Sequence, residues 1–234
     1  MQPHIHCSSV SKHVVLVGDP ARVNKFRKFM TDVKELAQNR EYYSIQGIYK
    51  NTPITVMSTG MGAPSMLICI EELAQCGAEN IIRVGSMGAY QKYIKLGDIV
   101  IVEGAVRDDG GSKAYIEPSY PAVSDFSLVQ KAIQLSANHH LGIIRSHDSF
   151  YTDKEDEICD FWHKRGILGA DMETSALLTL CRLKKIKALS ILNNVVEYKS
   201  DLQDSILEFS QAESLTAEGE SKCIQLSLDI LSEI

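Results

Sequence analysis

Short β-branched runs that stop at glycine-rich turns, each followed by an amphipathic stretch, recur along this chain and restrict its fold more than any other feature. Residues 13–17 are such a run and end at Gly18-Asp19-Pro20. Residues 21–30 then carry Val23, Phe26 and Met30 on one side at helical spacing. Residues 54–57 form a second run, halted at Ser58-Thr59-Gly60-Met61-Gly62, and residues 65–76 follow as a helix that opens near Pro64 and stops at Gly77. Residues 80–84 end at Gly85-Ser86-Met87-Gly88. Residues 98–102 and 141–144 read as further strands and 187–196 as a buried one, with helices over 126–138, 169–183 and 217–231. The expectation is an α/β protein: one domain over residues 1–234, with a mixed central β-sheet flanked by helices on both faces. Sites in such sheets gather at the carboxyl ends of strands.

Composition narrows the function classes. The 234 residues suffice for one large core, and a charged share of 23% argues against disorder. Twenty-four basic against 30 acidic side chains give a net charge of −6, which disfavours broad binding to nucleic acid or an anionic membrane. No apolar run approaches the roughly 20 residues of a membrane-spanning helix. The first residues, MQPHIHCSSVSKH, carry no secretory pattern. Six scattered cysteines without a C-x-x-C pair read as reduced, buried thiols, so a cytoplasmic protein is expected.

Two arginines stand out. Arg22 follows the first turn, near a helix N-terminus that favours an anion, and reads either as a phosphate ligand or as a surface salt bridge. Arg83 enters an otherwise apolar strand, where a guanidinium needs an anionic partner, either phosphate or an internal carboxylate. Ser86 would add a hydroxyl to the same anion. Asp171-Met172-Glu173, read at a helix start, complements the helix dipole; alternatively Glu173 accepts two vicinal sugar hydroxyls. The glycine clusters complete neither G-x-G-x-x-G nor a Walker motif, the histidines show no metal-ligand spacing, and no G-x-S-x-G elbow is present. His139-His140 reads as a helix end. No metal is expected.

In order, the segments Val15-Leu16-Val17-Gly18-Asp19-Pro20-Ala21-Arg22-Val23, Asn39-Arg40-Glu41-Tyr42, Ser58 to Ser65, Ile82 to Ala89, Pro121 to Phe126, Asp148-Ser149-Phe150-Tyr151 and Asp171-Met172-Glu173 resemble the nucleoside phosphorylase family, the trimeric or hexameric purine and uridine enzymes. The resemblance implies phosphorolysis of a nucleoside to free base and ribose 1-phosphate, with no cofactor. It implies phosphate contacts from Gly18, Arg22, Arg83 and Ser86, and ribose contacts from Met172 and Glu173. Arg40 and His4 are implied to serve a neighbouring subunit's phosphate and 5′-hydroxyl. The partners so implied are nucleoside, phosphate and further copies of the chain, in an oligomer built from dimers, a hexamer. Glu41, Met61 and Ser65 match an interfacial potassium site of the uridine enzymes. The arginine set separates these enzymes from hydrolytic nucleosidases, which need no phosphate clamp, and from a family member that only binds nucleosides.

The base end is mixed. Phe150 and Tyr151 match an aromatic wall. Val195 and Val196 stand where purine enzymes carry an Asp for N7 and resemble the uridine enzymes instead. The uracil-reading Gln and Arg of those enzymes are replaced by Lys154 and Asp156. The short spacer before Gly166 and the early Pro3-His4-Ile5 lean to the purine enzymes, and Thr174 to Leu178 lean to uridine. Glu197 and Asp201 are candidate substitute acids, with a solvated loop carboxylate as the plainer reading. On these features a purine nucleoside is narrowly preferred, with uridine as the alternative.

Overall fold

The computed structural model describes residues 1–200, 205, 207 and 215–234. Ten strands make one mixed sheet. They are β1 His13–Val17, β2 Thr31–Asn39, β3 Tyr42–Tyr49, β4 Thr52–Ser58, β5 Asn80–Ala89, β6 Ile99–Asp108, β7 Ala122–Val123, β8 His140–His147, β9 Gly169–Asp171 and β10 Lys187–Val196. The α-helices whose bounds fall within the described residues are α1 Pro20–Lys25, α2 Ala63–Gln75, α3 Phe126–Leu135, α4 Glu155–His163, α5 Thr174–Leu183 and α6 Leu215–Ser232.

Strand β5 organises the sheet. One edge pairs first with β1 and further along with β9, and the other edge pairs with β10. Because β10 continues to β6, β6 to β8 and β8 to β9, these five strands close into a ring. Strands β1, β4, β3 and β2 extend from β5 as a flank. Both faces of β1 are covered, which explains why it is apolar throughout rather than alternating. Val15 and Val17 pack in a core with Phe26 of the segment after α1, Leu128 of α3 and Ile224 of α6. Val14 and Leu16 pack in a second core with Met66 and Ile70 of α2 and Leu177 of α5. Each fully buried aliphatic side chain contributes roughly 1.5–3 kcal/mol. The fold is α/β, with helices on both faces of a mixed sheet, as the alternation implies.

Several local expectations change. Residues 31–49 are strands β2 and β3, joined to β4 in an antiparallel meander that the apolar pattern does not show. The segment Gly85-Ser86-Met87-Gly88 is not a turn; β5 runs through it to Ala89. The helix expected over 169–183 begins only at Thr174, because 169–171 form β9. Gly169 lies so close to β5 that an added Cβ would stand 2.3 Å from the Gly88 carbonyl oxygen. His140 does not end a helix: α3 stops at Leu135, and His140 opens β8 with its Nε2 2.9 Å from Asp98 Oδ2. All six cysteines are buried free thiols, and burial pushes those of Cys159 and Cys223 up to about 11 and about 12. Among the described residues, no helix is long and apolar enough to cross a membrane.

Candidate functional site

Strand β1 ends at Gly18, and Asp19 caps α1 by accepting the Ala21 N–H at 2.8 Å. One turn into that helix, Arg22 is buried instead of forming a surface pair. Its Nε donates to Glu220 Oε1 of α6 at 2.5 Å, its Nη2 to Ser86 Oγ at 3.1 Å and its Nη1 to the Val84 carbonyl at 3.3 Å. Gly18, at the end of β1, accepts the Gly60 N–H at its carbonyl at 2.9 Å. Arg22 and Ser86 therefore meet directly, with Gly18 four residues before Arg22 at the start of the same turn.

Arg83 leans forward along its own strand, over Gly85. A Cβ at Gly85 would stand 1.6 Å from Arg83 Nη1, so glycine there vacates the volume that the guanidinium fills. Of the two readings of its partner, phosphate or an internal carboxylate, the chain itself supplies the carboxylate. Nη2 is bonded to Glu173, and Nη1 lies 3.2 Å from Asp171 Oδ2. Arg83 Nε and Nη1 are buried without a hydrogen bond among the described residues, an unmet donor capacity next to Ser86.

Glu173 is 5% exposed and stands between β9 and α5. Its Oε1 accepts the Gly62 N–H at 2.6 Å, so the turn after β4 orients it. Burial pushes its carboxyl above the usual range, Arg83 pulls it down, and Asp171 adds to the rise. Asp171, which sequence reasoning left as a dipole partner, is a hub. It accepts the Ser146 hydroxyl at 2.6 Å, and the Thr174 N–H and hydroxyl at 3.1 and 2.6 Å. These bonds end β9 and start α5 at Thr174.

The remaining residues lie further out. Met172 is half-buried. Phe150 and Tyr151 follow β8 and meet edge to face at 4.9 Å, with Tyr151 69% exposed. Val195 and Val196 end β10 and are buried, with Val196 beside Gly88. Glu197 is half-buried, its Oε1 3.6 Å from Lys95 Nζ. Asp201 lies outside the described residues. Lys154 and Asp156 are exposed. His4 is tied to α2, with Nδ1 2.6 Å from Glu72 Oε1. Burial would raise the Glu72 carboxyl, but the N–H groups of Ile5 and His4 and the His4 ring hold it below its ordinary value. Arg40 is exposed at the β2–β3 turn, with φ of 52°. The structure thus joins Arg22 to Ser86 and Arg83 to Glu173 on and beside β5, and leaves Arg40 and Tyr151 on the outside. Ser65 Oγ donates to Glu41 Oε1 at 3.0 Å, and Met61 is exposed. One carboxylate and one hydroxyl fall short of the roughly six oxygens a hard cation takes, so a single chain does not fit potassium. Among the described residues, no cluster of His, Cys, Asp and Glu is arranged to hold a metal.

Glu220 and Asp171 were missed by the sequence reading. The signal for Glu220 is its place on the buried stripe Thr216, Gly219, Glu220, Cys223 and Ile224, where a carboxylate requires a cation.

A phosphorylase superfamily model matches residues 12–226. The chain belongs to that superfamily. The phosphorylase shares 47% identity with a crystal structure of uridine phosphorylase from Vibrio fischeri ES114, at a TM-score of 0.92, covering 100% of this chain and 98% of that one. It is 39% identical over 206 residues to uridine phosphorylase of Thermococcus kodakarensis, covering 80% of this chain and 74% of that protein. Its fold also matches purine nucleoside phosphorylase from Toxoplasma gondii in complex with immucillin-H, at 31% identity and a TM-score of 0.90, covering 100% of this chain and 96% of that one. The phosphorylase is a pentosyltransferase acting on a nucleoside and phosphate.

Proposed function

We propose that this phosphorylase cleaves uridine, with Arg22, Arg83, Ser86 and the Gly18 backbone holding phosphate and Glu173 holding ribose. The observation that carries the site is the joining of Arg83, Arg22 and Ser86 to the same short stretch of β5, with Glu173 bonded to Arg83. A dianion entering this cluster meets two guanidinium groups in a buried setting, where charge-assisted bonds are strong. Glu173, drawn off Arg83, accepts the 2′- and 3′-hydroxyls. The C1′–N bond then breaks with its electron pair leaving on the base. Positive charge develops on the ribose and is stabilised by the phosphate, whose oxygen bonds to C1′. Met172 packs against the sugar. No cofactor enters these steps.

Uridine is favoured over a purine by the end of β10. Val195 and Val196 provide no acid for a purine N7, and Glu197 is engaged with Lys95. A departing uracil spreads its charge over its carbonyl oxygens and has less need of a proton. The identity with the Vibrio uridine enzyme supports the same choice and outweighs the narrow purine preference of the sequence features. A purine nucleoside is the second reading, supported by the short spacer before Gly166 and the fold match to the Toxoplasma enzyme. Phe150 and Tyr151 would wall the base in either case. Half-exposed His4 and exposed Arg40 support a site completed by a neighbouring copy, in an oligomer of dimers such as a hexamer. Buried reduced thiols are compatible with a cytoplasmic setting.

An ultraviolet assay with uridine, inosine and guanosine, each with and without phosphate, tests this reading. Phosphate-dependent turnover with uridine foremost is expected. Faster turnover of inosine would select the second reading, turnover without phosphate would remove the phosphate clamp, and no turnover at all would leave a nucleoside-binding protein.

A further inference from the structure

Glu220 sits in the second turn of α6 and is 4% exposed, yet no part of the substrate scheme uses it. Its two oxygens serve two cations: Oε1 accepts Arg22 Nε at 2.5 Å, and Oε2 is bonded to Lys25 Nζ. The Arg22 side chain is 8% exposed and that of Lys25 47%. Arg22 belongs to the first helix and Glu220 to the last, 198 residues apart in sequence, so the bond ties one end of the fold to the other.

The geometry of the guanidinium gives this bond a consequence. Three contacts fix the plane of Arg22: Nε to Glu220, Nη1 to the Val84 carbonyl and Nη2 to Ser86 Oγ. The bonds to Val84 and Ser86 go to neutral acceptors and, at 3.3 and 3.1 Å, are the longer ones; the bond at Nε, with both partners charged, is the anchor. Without it, the buried guanidinium would lose its charged anchor and keep, of these three bonds, only the two to neutral acceptors, and it could swing out of this plane. Glu220 also sets the local charge, since its carboxylate lies between the Arg22 and Lys25 cations. Resting on the reading of Arg22 as a phosphate ligand, we propose that Glu220 is the positioning residue of the phosphate site, holding Arg22 by Nε so that its Nη edge faces the anion together with Ser86.

The test compares E220A, E220Q and R22M with the parent enzyme. KM for inorganic phosphate, KM for whichever of uridine, inosine and guanosine is turned over best, kcat and melting temperature are measured for each. E220A is expected to raise the phosphate KM about 10- to 100-fold, the range of a lost charge-assisted bond. The nucleoside KM should stay within about threefold, because the carboxylate acts only through Arg22. E220Q, whose amide oxygen still accepts the Nε–H, is expected to recover part of that loss. R22M should raise the phosphate KM at least as far as E220A. If R22M does so and both Glu220 variants keep the parental phosphate KM, the positioning role is overturned and the phosphate reading of Arg22 survives. If R22M leaves the phosphate KM unmoved, the phosphate reading itself falls. Equal rises in both KM values, tracking a lower melting temperature, would mark Glu220 as a packing residue and overturn the proposal. Should E220A fail to fold, E220Q carries the same comparison, with a selective rise of at least about threefold in the phosphate KM expected.

Discussion

Arg83 and Ser86 stand on a strand paired with β10 throughout their stretch, with β1 on the other edge as far as Arg83, and Arg22 is bonded to that strand's backbone and anchored from α6. Phe150 and Tyr151, by contrast, hang on the segment leaving β8, with Tyr151 69% exposed. The proposed phosphate end is built from side chains whose hydrogen-bond partners are themselves buried. The proposed base end is built from aromatic rings at the rim and two valines that offer only shape. Under the proposed assignment the contrast separates where the chemistry is held from where substrate choice is made: the common co-substrate would meet rigid elements, and the variable one a loop that can change without disturbing the sheet.

The comparison breaks most readily at Arg83. R83A should lower phosphate-dependent kcat/KM by about 10³-fold, more than loss of one transition-state donor, because it also strips Glu173 of its partner. Steady-state kinetics against phosphate check this; unchanged phosphate saturation would remove Arg83 from the site. G85A should come close behind. Its methyl would stand 1.6 Å from Nη1, so the guanidinium must leave its seat. A fall of about 10²-fold in kcat/KM for phosphate is expected, together with a lower melting temperature of the kind overpacking gives, about 1–3 kcal/mol.

Glu173 sharpens the comparison through pH. Its carboxyl titrates above the ordinary value because of burial, opposed by Arg83 and reinforced by Asp171. Only the ionised form accepts both ribose hydroxyls. Activity is therefore lost as pH falls through that raised pKa, and the acid limb of kcat/KM for the nucleoside should lie above the free-glutamate value of about 4.3. Stability has the opposite sign: the fold favours the protonated form, so stability that is full below the free value declines as pH rises through the raised one. E173Q should erase the limb and lower kcat/KM about 10²-fold. A limb that persists in E173Q would assign it to another group. Y151A should do least, raising the nucleoside KM about tenfold while leaving the phosphate KM alone. An equal change in both would show that the two ends are not separate.

Much of the buried arginine cluster proposed as the phosphate end is legible in the sequence. A guanidinium inside Ile81-Ile82-Arg83-Val84 demands an anion, and β1 reads as buried from its β-branched run alone. Two partners were hidden for different reasons. Glu220 lies on the same face as Cys223 and Ile224 but 198 residues from Arg22, and local spacing does not reveal a contact at that range. Asp171 looked like a helix-start acid, since three residues of strand are too few to interrupt an apolar pattern. The meander β2–β4 was illegible because β2 is largely exposed and alternates weakly. Its only mark is Lys50-Asn51, whose φ values of 45° and 66° form the tight hairpin turn. Substrate choice stays hard to read because the base end mixes purine-like spacing with uridine-like valines.

Strand β5 belongs both to the closed ring and to the flank: β10 pairs it from Asn80 to Gly88, while its other edge is paired by β1 from Asn80 to Arg83 and by β9 at Gly88 and Ala89. Local opening that frays β2 or the segment after β8 does not reach the β5–β10 pairing. In a hydrogen-exchange experiment the β5 amides bonded to β10 are expected among the slowest to exchange, and those of the segment after β8 among the fastest. The proposed phosphate seat would then outlast openings that rearrange the proposed base end.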